Sequence, residues 1–173
     1  MPRRLRLAVA LVPLVMCGCL AAFPPAIEPM PQPELRPDVF FAGRTTGEGT
    51  LTTRFKATRT LRVEGRGTRD ADGTFRLDQT VTFDDGTVET RTWHMQRTGA
   101  TEYHATLSDA AGDVTAQTSG NTFHLHYLLR QPRVYMDQWL YLQPDGRTVL
   151  NRATVTVLGI PWARLAETIT RQQ

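Results

Sequence analysis

The sequence predicts an all-β protein, a single antiparallel up-and-down barrel of about nine or ten strands, and three observations predict it. Gly73, Gly86, Gly99 and Gly112 recur every 13 residues, each inside a turn-forming stretch, as long strands joined by tight turns require. Between the turns the apolar side chains keep a period of two. Phe75, Leu77, Val81 and Phe83 share one parity, as do Tyr103, Ala105 and Leu107, and Phe123, Leu125, Tyr127 and Leu129. Finally, a meander this long must hide its edges. Closure removes them, and a barrel of about eight strands is just wide enough for side chains or one small ligand. A β-sandwich is the alternative, though the strands are long for it.

At 173 residues the chain suits one domain with a sizeable core. Residues 1–19 resemble a bacterial lipoprotein signal peptide. Arg3, Arg4 and Arg6 form its cationic start, and residues 7–16 form an apolar run too short to span a bilayer core. Met16-Cys17-Gly18-Cys19 follows, with the small Gly18 placed before Cys19, the expected lipidation site. An ordinary cleaved signal or a short uncleaved anchor are the alternatives. Leu20 stands where an Asp would hold such proteins at the inner membrane. The expected place is therefore the bacterial cell envelope, lipid-anchored in the outer membrane and facing the periplasm.

Residues 20–37 hold Pro24, Pro25, Pro29, Pro31, Pro33 and Pro37. That density favours polyproline II and predicts a semi-rigid tether. Residues 38–173 then form the barrel domain. It opens on a helical turn with Asp38 as cap and Gly43 as stop, and Phe40 and Phe41 plug the core. Residues 162–170 are read as the last strand, with a short helix opened by Pro161 as the alternative.

Charge excludes one class of partner. Of the 20 Lys and Arg residues, three lie in the first six positions, which leaves 17 basic against 17 acidic side chains. Nothing in that balance favours nucleic acid or an anionic surface. Both cysteines lie in the targeting segment, so the domain has no disulfide and no thiolate chemistry.

The strongest hairpin flanks Pro144-Asp145-Gly146, whose residues suit a type I turn followed by a bulge. A three-residue loop would place Trp139 opposite Asn151, Tyr141 opposite Val149, Asp137 opposite Ala153 and Tyr135 opposite Val155, all on one face. Met136, Leu140, Leu142 and Leu150 would take the other face, with Gln138 near Arg152.

Phe40-Phe41-Ala42-Gly43, Phe83-Asp84-Asp85-Gly86, Gly120-Asn121, the run Met136-Asp137-Gln138-Trp139-Leu140-Tyr141-Leu142, and Asn151-Arg152-Ala153-Thr154 together resemble the DUF3833 family. The resemblance covers residues 38–170. It implies a bacterial lipoprotein with a lipocalin/calycin-like barrel. It also implies a lipid-related role, since such genes often neighbour enzymes that modify membrane lipids. Members usually carry Asp where Gln138 stands and Met where Leu140 stands. The family brings no residue roles with it.

Candidate chemistry is sparse. His124-Leu125-His126 puts two imidazoles on one strand face, as a metal site wants. Their neighbours own the apolar parity, however, so both are expected to face solvent, and His94 and His104 alternate in the same way. No metal, cofactor or catalytic residue is assigned. No phosphate loop or nucleophile elbow occurs, and Ser108 and Ser119 read as turn residues. Asp137 and Asn151, grouped with Trp139, admit three roles: structural polar cluster, ligand orientation or acid–base chemistry. The ligand-binding candidates are Asp137, Trp139, Tyr135, Tyr141 and Asn151. The predicted function is a lipid-anchored module binding a small apolar or lipid-like molecule. A non-catalytic scaffold of the envelope and an enzyme acting on a lipid-like substrate are the alternatives. An interior cavity of ~300 Å³ or more would favour the ligand, and a packed interior the scaffold.

Overall fold

The period-two pattern closes on itself. The computed structural model describes residues 27–172. The signal peptide, Cys19 and the first part of the tether lie outside them. A helical turn, α1 (Pro37–Phe40), leads into β1 (Gly43–Thr53), β2 (Arg59–Arg69), β3 (Phe75–Phe83), β4 (Val88–Arg97) and β5 (Glu102–Leu107). Then come β6 (Val114–Ser119), β7 (Thr122–Arg130), β8 (Val134–Leu142), β9 (Thr148–Val157) and β10 (Ile160–Arg171). Each strand pairs antiparallel with its neighbours in sequence, and β1 pairs with β10 from Thr45↔Arg171 to Thr53↔Ala163, which closes the barrel. The ring leaves no sheet edge open. The last segment is a strand, as expected. Pro161 sits beside a register shift near its start rather than opening a helix.

One pole is sealed by the chain that enters there. Leu35 is fully buried and its amide donates to Gly120 O at 2.8 Å. Asn121, also fully buried, accepts from Met30 N at 2.7 Å through Oδ1 and donates from Nδ2 to Leu142 O at 2.9 Å. Phe40 and Phe41 plug the core as predicted, both buried and packed edge-to-face at 4.9 Å. Asp38 is not the helix cap. Arg36 holds that position without a side-chain cap. Asp38 lies in the first turn and pairs with Arg36 at 3.3 Å and Arg69 at 2.9 Å, tying the turn to β2. Gly43, at φ +88°, begins β1 instead of stopping the helix.

The β8–β9 register differs from the predicted one by a single residue. Trp139 faces Arg152, Leu140 faces Asn151, Asp137 faces Thr154 and Tyr135 faces Thr156. The cause is the turn, which has four residues rather than three. Gln143 N donates to Thr148 O at 2.8 Å, and Gly146 N, at φ +64°, donates to Gln143 O at 3.0 Å. Asp145 holds the extra residue. Its carboxylate accepts from Arg147 N and Thr148 N at 2.9 Å and from Thr148 Oγ1 at 2.7 Å. A slip of one residue reverses which face each partner presents. It therefore separates Asn151 from the aromatic residues of β8.

Candidate functional site

The inward parities of the strands line a cavity of about 230 Å³. Its wall is largely apolar, drawn from two core clusters. Leu77, Trp93, Met95, Phe123, Leu125 and Leu140 belong to the larger one, and Leu61, Val63, Val81 and Phe83 to the smaller one on β2 and β3. The lining reaches Leu51, Arg59, Glu89, Val155 and Ala163, so the cavity opens toward the pole opposite α1.

The loops at that pole carry apolar side chains in solvent. Phe55 is 83% exposed and Leu158 63%, both held out by left-handed backbone at φ 61° and 51°. Non-glycine residues adopt that conformation at a cost of about 1 kcal/mol or more. Ile160, Trp162 and Val88 are exposed as well, and Trp162 packs edge-on against Phe55 at 6.3 Å.

A few polar groups interrupt the cavity wall. Trp93 Nε1 donates to Gln79 Oε1 at 3.0 Å. From Gln138 a directed chain runs to a buried acid. Gln138 Nε2 donates to Asn151 Oδ1 at 3.1 Å, and Asn151 Nδ2 donates to Glu167 Oε2 at 2.8 Å. Glu167 is only 5% exposed. Burial pushes its carboxyl above the ordinary glutamate range, a shift opposed by the Asn151 hydrogen bond and the Arg91 charge. Its other oxygen, Oε1, has no hydrogen-bond partner. The facing strand makes room for it: Gly47 and Gly49 of β1 lie beneath Glu167, and a Cβ on Gly47 would collide with Oε1.

The outer wall carries a second cluster. Asp137 Oδ1 accepts from Trp139 Nε1 at 2.9 Å, so the indole finds the acceptor that its burial requires. Asp137 Oδ2 lies 3.0 Å from His124 Nε2 and 3.4 Å from His126 Nδ1. His124 stacks on Trp139 with ring centroids 3.9 Å apart, and His126 stacks on Tyr135 at 5.6 Å. Partial burial pushes the Asp137 carboxyl up, but hydrogen bonds from His124, Trp139 and His126 outweigh it and hold it below the usual carboxylate range. Among the described residues, no group of three or more His, Cys, Asp and Glu is arranged to hold a metal ion.

The five predicted ligand-binding residues are therefore split by the barrel wall. Asn151 lines the cavity. Tyr135, Asp137, Trp139 and Tyr141 stand outside with the two histidines. The histidines face outward, as parity predicted. The interior residues that sequence reasoning missed include Glu167, Trp93, Gln79, Arg91 and the two glycines; it noted Gln138 as a departure from a family pattern and set it near Arg152, whereas it faces Ala153. One signal was available: Glu167 shares the parity of Ala163, Leu165 and Ile169, an acid on the apolar face of a strand.

Comparison with known proteins agrees with this architecture. The chain matches the family described as "Protein of unknown function (DUF3833)" over residues 14–171. No curated protein matches it. Among solved structures the barrel is similar to the S-type phycobiliprotein lyase CPES from Guillardia theta. The TM-score is 0.63 at 11% identity, over 80% of this chain and 94% of the lyase. It is also similar to a protein of unknown function from the DUF3598 family of Nostoc punctiforme. There the TM-score is 0.61 at 14% identity, over 82% of this chain and 51% of that one. At such identities the likeness is one of fold, and the fold is a lipocalin/calycin-like barrel.

Proposed function

Because the chain belongs to DUF3833, a family of unknown function, its role has to be argued from its own barrel, and we propose that it is a membrane-anchored bacterial lipoprotein whose barrel binds a small apolar or lipid-like molecule. The observation that carries this reading is the cavity of about 230 Å³ with a mostly apolar wall and a few convergent polar groups. It is smaller than the ~300 Å³ typical of the lower end of ligand pockets. Yet an apolar cavity of roughly 150 Å³ already stays dry and takes up benzene. A scaffold working through its surface has no use for such a void, since close packing would be more stable. The resemblance of the fold to a phycobiliprotein lyase supports the binding reading. The anchor is supported by the signal-like segment before Cys19, and outer-membrane placement facing the periplasm by Leu20.

The catalytic alternative loses its pair. Asp137 and Asn151 stand on opposite sides of the wall and cannot act on one substrate together.

Tryptophan fluorescence tests the proposal, because Trp93 lines the cavity while Trp139 lies outside it. Octanoic acid or a short lysolipid should change the emission saturably. With Trp162 at the rim replaced by Phe, Trp93→Phe should abolish the change and Trp139→Phe should preserve it. A flat titration, with no small molecule recovered by lipid extraction and mass spectrometry of the purified protein, would move the assignment to the scaffold.

A further inference from the structure

Glu167 is a buried acid in an otherwise apolar container, and stability alone does not explain it. Leu or Met at that position would fill the same space without desolvating a carboxyl group. The strand facing it is stripped to Gly47 and Gly49, so the acid occupies a cradle that any side chain on β1 would fill. One oxygen is engaged and the other is free, though both are buried in the cavity wall.

The direction of the hydrogen bonds decides what the free oxygen can do. Gln138 donates to Asn151, and Asn151 spends its own N–H on Glu167 Oε2. Oε2 is thus the acceptor. Burial penalises the charged carboxylate in a cavity with this wall and shifts the group toward its neutral form, against the Asn151 hydrogen bond and the Arg91 charge. In that neutral form the proton belongs on Oε1, the oxygen without a hydrogen-bond partner. We propose that Glu167 is a hydrogen-bond donor inside the cavity, and that it selects ligands carrying an acceptor oxygen, such as an acyl ester carbonyl, over bare hydrocarbons and over amines. This rests on the reading of the barrel as a container for an apolar molecule, and it specifies the head of that molecule.

Arg91 of β4 also lines the cavity and is the charge felt at Glu167; β1 presents the two glycines, and β9 presents Asn151 and Ala153, none of which titrates. Arg91 is itself paired with Glu89 of β4 at 3.8 Å and Asp109 at 4.0 Å toward the opening, so a cationic amine beside a neutral Glu167 would gain no free carboxylate there. The upward push that burial gives Glu167 agrees with the donor role. As pH rises through its folded-state pKa the donor is lost, and an ester should be released.

The test uses the full chain in phospholipid nanodiscs, with empty discs as control and with Trp139→Phe and Trp162→Phe, so that Trp93 alone reports. Octane, methyl octanoate and octylamine are the probes. Methyl octanoate should bind roughly fivefold tighter than octane, the worth of about one neutral hydrogen bond. Octylamine should bind no better than octane. Glu167→Leu should bring the ester down to the affinity of octane. Glu167→Gln, whose amide N–H can replace the lost donor, should keep the preference and lose its pH dependence. An ester preference that survives Glu167→Leu, or octylamine as the tightest probe, would overturn the proposal. If Glu167→Leu fails to fold, the wild-type ester-to-octane ratio and the Glu167→Gln pH profile decide alone. Saturable octane binding without ester preference sinks only the donor role. No saturable signal from any probe sinks the container itself.

Discussion

Glu167 has no slack. A Cβ at Gly47 would land on its Oε1, and one at Gly49 would sit 2.9 Å from its Cα. Gly47→Ala should therefore destabilise the barrel by about 1–3 kcal/mol, the usual cost of overpacking. In a Glu167→Ala background the same change should cost less, and a double-mutant cycle by denaturant unfolding would measure the difference. The acid also gives stability a definite pH slope. Its folded-state pKa is raised, so the folded protein holds this proton more tightly than the unfolded chain does. Stability is then greatest below the ordinary glutamate value and falls as pH climbs from there through the folded-state pKa. Thermal unfolding between pH 4 and 8 should show that decline, and Glu167→Gln should flatten it. An acid on an apolar parity can be read from a sequence. Its partner cannot, because Asn151 reaches Glu167 only through the actual pairing of β9 with β10.

At the scale of an element, the β8–β9 hairpin turns on Asp145. Its carboxylate gathers three hydrogen bonds from Arg147 and Thr148. The Thr148 hydroxyl, foremost, and the two amides hold its pKa below the usual value. Asp145→Ala should destabilise by roughly 1–2 kcal/mol, seen as a lowered unfolding midpoint, while the cavity titration persists. The existence and boundaries of this hairpin were legible, since Pro-Asp-Gly between two apolar runs admits little else. Its register was not. The same tripeptide fits three- and four-residue loops, and the choice rests on whether Asp145 bonds Thr148. That one bond pattern decided which predicted site residues faced inward. The cross-strand link from Asp137 to His124 and His126 was hidden for the same reason, because it needs the register of β7 against β8.

For the molecule as a whole, glycine spacing, period two and the need to hide sheet edges anticipated a barrel of about nine or ten strands, and the structure has ten. Its cavity was beyond them, because a void is what remains after side chains from all ten strands have packed. Replacing Ala153, which lines that void, with Phe should block ligand uptake with a stability change of about 1–3 kcal/mol. Calorimetric titration beside a melting curve would separate the two effects. Cys19→Ala should release the protein from the membrane fraction and abolish acyl labelling. Retention with labelling intact would refute the anchor.

The sealed pole gives the proposed anchor an orientation. Met30 and Leu35 are pinned to Asn121 and Gly120 at the base, and the apolar rim of Phe55, Leu158 and Trp162 crowns the far end. Ten residues, the length of 20–29, would span roughly 31 Å as polyproline II. That is about the same as the roughly 30 Å rise of the nine residues of β8. A domain hung by its base on a leash of about its own length has little reach to spare for turning its opening into the leaflet that holds it. With the proposed anchor in place, cargo would come and go most readily on the distal side, where the apolar crown would meet it first.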